Sequence, residues 1–132
     1  ILKLIYNATA IANIADNAAS SPITNLYLSL HTASPGDSGN QTTNECSYTS
    51  YARVAVARSG SGWTVTGNSV SPAAAIEFPA ATGGSETVTH AAVGTASSGT
   101  GKILHHGAIS PTIAVSSGVT PRLSTATAIT ED

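Results

Sequence analysis

The residues best equipped for chemistry lie close together. The stretch QTTNECSYTSYARVAVAR, residues 41–58, holds the only cysteine, Cys46, directly after Glu45. A thiol becomes a good nucleophile when a histidinium, another cation or a helix N-terminus lowers its pKa. Glu45 acts in the opposite sense. A small hydrolase built on Cys46 would need a histidine delivered by the fold. The simpler expectation is a thiol packed as a small apolar group.

The four histidines are His31, His90, His105 and His106. His105 and His106 are adjacent on a predicted strand, so their side chains point to opposite faces and do not converge on one metal. Zinc wants three or four ligands, and no HxH or HExxH spacing occurs, so no metal site is expected. The carboxylates show no pairing pattern, and glycoside hydrolysis needs two facing one substrate. DSGN at Asp37 lacks the dense oxygen ligands of a calcium loop. No GxSxG, phosphate-loop or dinucleotide fingerprint is present. The expectation is therefore a protein without catalytic residues or cofactors.

Tyr48, Tyr51, Arg53 and Arg58 remain. Tyrosine and arginine are favoured at protein contacts, because each joins an apolar body to a hydrogen-bonding end. These four are the candidate interface residues. The alternative is that the tyrosines close one end of the fold and Arg53 is merely exposed.

Composition narrows what such residues could serve. Ala (22), Thr (18), Ser (18) and Gly (12) make up 70 of 132 residues, while 9% are charged and the net charge is −2. Ordinary soluble domains carry about 25% charged residues. A surface of small, mild side chains packs readily against a neighbour, which favours an assembled protein. Lys3, Arg53, Arg58, Lys102 and Arg122 are scattered, so nucleic-acid binding is disfavoured. No run reaches the length of a membrane-spanning helix. A single cysteine forms no internal disulfide. The sequence opens on Ile1 and holds no methionine, so the native start is expected upstream. The N-terminal segment is too polar at Asn13, Asp16 and Asn17 for a signal peptide.

The elements that must position these residues are mostly strands. Residues 1–22 form an N-terminal helix or arm, with Leu4, Ala8, Ile11, Ala15 and Ala18 at helical spacing and the helix favoured in the second half. Residues 23–132 form the β domain. LYLSLHT alternates Leu26, Leu28 and Leu30 with Tyr27, Ser29 and His31, as a half-buried strand does. A long polar loop follows. ARVAVAR, WTVTGN, AAIEF, TVTHAAVGTA, KILHHGAI, PTIAVSS and PRLSTATAI then read as strands bounded by Gly, Pro or Ser. About eight strands at a spacing of roughly 8–12 residues point to a sandwich or barrel. The favoured class is all-β: a jelly-roll-like antiparallel β-sandwich, with an immunoglobulin-like sandwich as the competitor.

The segments NLYLSLHTASPGDSG, QTTNECSYTSYARVAVAR and GWTVTGNSVSPAAAIEFPAATGG, followed by TVTHAAVGTASSGTGKILHHGAI, resemble small virion proteins of tailed bacteriophages. The likeness runs from about Leu26 to the C-terminus. It implies a capsid cement or decoration protein on the outer face of the head. Such a protein binds the major capsid protein across capsomer junctions and also contacts copies of itself, as a dimer or trimer. Some proteins of this kind are tail or head fibres, which supplies the alternative of a fibre or receptor-binding component. The resemblance supplies no catalytic residues.

Overall fold

The computed structural model describes residues 1–11 and 22–131. Its elements are α1 (Leu2–Asn7), β1 (Asn25–His31), β2 (Val54–Ala57), β3 (Trp63–Thr66), β4 (Ser69–Pro72), β5 (Ile76–Glu77), β6 (Glu86–Gly94), β7 (Ile103–Val115), β8 (Arg122–Leu123) and β9 (Ile129–Thr130). The sheet orders are β2-β1-β6-β7, β3-β4-β9 and β5-β8. The pairings β1–β6, β6–β7, β3–β4 and β4–β9 are antiparallel. This is the all-β class that the turn spacing predicts, consistent with a β-sandwich, with one short helix among the described residues. The helix occupies the first half of the N-terminal segment. The second half, where the sequence favours it, lies outside the described residues.

The chain forms two compact units. One comprises Ile1–Leu26, Val56–Ile76 and Leu123–Asp132; the other comprises Tyr27–Ala55 and Glu77–Arg122.

In the first unit, α1 buries Leu2 and Tyr6, four residues apart and therefore on one helix face. Tyr6 meets the Trp63 ring edge-on, with centroids 4.8 Å apart. The Asn7 amide donates to the Trp63 carbonyl at 3.1 Å. The helix ends at Ala8, which turns left-handed at φ 55°, and the Thr9 N–H returns to the Lys3 carbonyl at 3.0 Å. β3 and β4 form a hairpin closed by Gly67 and Asn68. Gly67 takes the positive φ of 60° that the two-residue turn requires.

In the second unit, β1 pairs with β6 from Tyr27↔Gly94 to His31↔His90. Leu28, Leu30, Val88 and Val93 are buried. The clean alternation expected of β1 is corrected here: Ser29 and His31 are both 0% exposed. Residues 43–46 return alongside β1, with Glu45 bridging His31 and the Cys46 N–H donating to the Leu30 carbonyl at 2.8 Å. The buried imidazole is satisfied at both nitrogens. Nδ1 donates to the Thr43 carbonyl at 2.8 Å, which leaves neutral Nε2 to accept from the Ser29 hydroxyl at 2.8 Å.

KILHHGAI and PTIAVSS, separate strands in the sequence reading, are one continuous strand, β7, of 13 residues. Pro111 is accommodated at a register shift opposite β6, where no ladder N–H is demanded of it. Its peptide bond to Ser110 is cis.

Candidate functional site

The chemically equipped stretch folds into one hydrogen-bonded network within the second unit. Arg53, just before β2, directs its guanidinium to Glu45. Its Nε donates to Glu45 Oε1 at 2.7 Å and an Nη to Oε2 at 2.9 Å. The planar fork matches the two carboxylate oxygens. Tyr51 Oη also donates to Glu45 Oε1, at 2.8 Å, while accepting from the Leu30 N–H at 3.1 Å. The Arg53 side chain is 3% exposed and that of Glu45 14%. Charges this far from water need a complete set of partners. Arg53 completes its set with the Ala96 carbonyl at 2.9 Å and the Gly99 carbonyl at 2.6 Å. The Glu45 bonds strengthen its hold on its proton.

Gln41 reaches the same segment from a fully buried position. Its N–H donates to the Thr100 carbonyl at 2.8 Å, its side-chain oxygen accepts from the Ala96 N–H at 3.0 Å, and its side-chain amide donates to the Tyr27 carbonyl at 3.3 Å. Arg53 and Gln41 thus fix the connection between β6 and β7 from beneath. The exposed tip at residues 97–100 sits on a buried ionic base. No Cβ fits at Gly94 or Gly101, because it would collide with the Gln41 side chain.

A second carboxylate organises the far side of Cys46. Glu86 Oε1 accepts from the Ser47 N–H at 2.8 Å and the Tyr48 N–H at 2.7 Å. Tyr48 is 3% exposed, stacks edge-on with Tyr51 at 5.3 Å, and donates its hydroxyl to the Pro79 carbonyl at 2.8 Å.

Cys46 lies between the two carboxylates and is 4% exposed. Burial, then Glu86 and Glu45, push its thiol up to about 12. Burial raises the Tyr51 hydroxyl as well and lowers the His31 imidazole. The thiol is therefore protonated and enclosed at neutral pH, as a packed apolar group would be. The arrangement holds loops in place, and both carboxylates disfavour the thiolate.

Of the four candidate interface residues, Tyr48, Tyr51 and Arg53 belong to this network, with their polar ends engaged inside the chain. Arg58 is elsewhere, in the first unit. Its guanidinium donates to the Ile5 and Leu4 carbonyls at 2.6 Å each, capping the C-terminal end of α1. The sequence singled out the Tyr–Arg cluster, whereas Gln41 is there only the first residue of the polar run QTTNE. A glutamine in a polar run carries no local mark of burial.

His105 and His106 are adjacent on β7 and both are half-buried. His106 Nε2 is 3.6 Å from the fully exposed Asp37 carboxylate. Glu77 and Arg122 form an exposed ion pair.

Compared with known families, residues 4–130 match the podophage GP4 fiber I protein gp80. The chain belongs to that family. It is a phage virion structural protein, as the resemblance of its strand and loop segments implies at the level of the virion. No curated protein matches the chain.

Proposed function

We propose that the chain is a fibre component of the phage particle that acts by contact and without catalysis. The family match over residues 4–130 is the observation that carries this reading. The inward-facing chemistry supports it: the single thiol is enclosed, and Tyr48, Tyr51 and Arg53 hold loops within the second unit. On this reading it contacts copies of itself and other virion proteins, and no nucleic-acid, membrane or cofactor partner is proposed.

Decoration of the capsid exterior is the second reading, favoured by the low charge of the chain. In that role it would bind the major capsid protein across capsomer junctions. Small Ser, Thr and Ala side chains bury against a shell with few unpaired charges. Binding only the mature shell would stabilise it by mass action.

Immunogold labelling of purified particles distinguishes the two. Label on discrete projections is the expected result. Label spread evenly over the head would replace the fibre reading with decoration.

A further inference from the structure

The cover of His31 and the support of the β6–β7 connection are one piece of chain. The His31 imidazole is 0% exposed beneath residues 43–46. Nδ1 donates to the Thr43 carbonyl and Nε2 accepts from Ser29, so the folded ring is neutral. Along β1 the same segment is held by the Thr32 N–H on the Asn44 carbonyl at 2.9 Å and the Cys46 N–H on the Leu30 carbonyl at 2.8 Å. Its next residue after Asn44 is Glu45, whose carboxylate neutralises Arg53. Arg53 in turn holds the Ala96 and Gly99 carbonyls.

Ionisable groups face the ring from each element around it. Glu45 lies on the covering segment and favours a charge on His31, while Arg53, before β2, and His106, on β7, oppose one. His90 stands opposite His31 in the β1–β6 register. Burial outweighs the attraction of Glu45 and disfavours the charged ring.

We infer that residues 43–46 are an acid-sensitive latch: a proton on His31 opens them and releases residues 96–100 while the rest of the second unit stays folded. Protonation turns Nε2 from acceptor to donor. The Ser29 hydroxyl can reverse to meet it, but a charge then remains in a site without water. Opening the segment hydrates the ring. Glu45 leaves with it, and Arg53 becomes a buried cation without its carboxylate. The β1–β6 and β6–β7 ladders need not part, so this opening costs less than global unfolding. Nothing in this latch depends on the fibre reading.

The test is hydrogen exchange on the purified chain at pH 7 and pH 5, compared as protection factors so that the chemical pH dependence of exchange cancels. The Thr32, Cys46 and Ala96 amides are bonded to Asn44, Leu30 and Gln41. They are expected to lose protection in acid by up to about 25-fold, the limit when the open ring takes its proton near pH 6.5 and the closed ring takes none. The Phe78 and Ala81 amides, bonded to Pro121 and Val119 in the same unit, are expected to keep theirs. Equal loss at Phe78 and Ala81 would make the transition global and overturn the latch. Unchanged protection at Ala96 overturns it as well. His31→Gln keeps a neutral side chain that both donates and accepts, and its Thr32, Cys46 and Ala96 amides are expected to be equally protected at the two pH values. Loss in that variant as large as in the wild type overturns the role of His31. The wild-type pattern alone decides between local and global opening, whether or not the variant folds.

Discussion

Glu45 and Arg53 face each other in a two-pronged ion pair, with N···O distances of 2.7 and 2.9 Å, and the arginine side chain is 3% exposed. Both partners come from the stretch that holds the only thiol. Their pairing turns that stretch into a base for the β6–β7 connection. Arg53 spends its remaining donors on the Ala96 and Gly99 carbonyls.

Removing one partner should therefore be costly. Arg53→Ala strands a carboxylate and two loop carbonyls, and breaking a buried pair costs about 3–5 kcal/mol. Urea unfolding is expected to show a midpoint well below the wild type. An unfolding free energy within about 0.5 kcal/mol of the wild type, the range of ordinary surface substitutions, would mean that the pair contributes little.

Gly94 has no room for a side chain, since a Cβ there meets Gln41. Gly94→Ala is expected to destabilise the protein by about 1–3 kcal/mol through overpacking. Gly60, with open space around it, is the control: Gly60→Ala should leave stability near the wild type. Equal melting curves for the two variants would contradict the placement of Gln41.

Cys46 should resist thiol reagents at neutral pH until the chain unfolds, because its thiol is enclosed and raised to about 12. Linkage gives the same group an alkaline signature. Above about pH 8.5 the unfolded thiol loses its proton while the folded one keeps it. The folded state then binds more protons, so stability falls as pH rises. Rapid modification of the folded protein would revive a reactive thiol.

His31 gives the acid counterpart. Burial lowers its pKa, opposed by its bond to the Thr43 carbonyl and by Glu45. Below about pH 6.5 the unfolded imidazole takes up a proton that the folded one resists. The unfolded state binds more protons there, so stability is full above that pH and is lost as the pH falls. Unfolding midpoints measured between neutrality and pH 5 should fall more steeply for the wild type than for His31→Gln. Parallel curves would show that His31 carries none of the acid sensitivity.

The fold class was legible because strands and turns leave local marks: the apolar–polar alternation of LYLSLHT in the sequence, and Gly, Pro or Ser between the strand-like runs. What the sequence misread depended on chain segments distant from the residue concerned. His31 sits at an outward position of a half-buried strand, yet residues 43–46 return to cover it. Pro111 looks like a strand boundary, yet a bulge lets one strand pass through it. The Tyr48, Tyr51 and Arg53 cluster was visible by composition. Its inward direction was not, because the Ala96 and Gly99 carbonyls that hold Arg53 lie more than forty positions away.

The central claim is that the chain serves as a fibre component of the virion through contact alone. Immunogold labelling of purified particles with an antibody to the chain tests it most directly. Label confined to projecting fibres is the predicted result. Particles that carry no label, or label spread uniformly over the head, would contradict it.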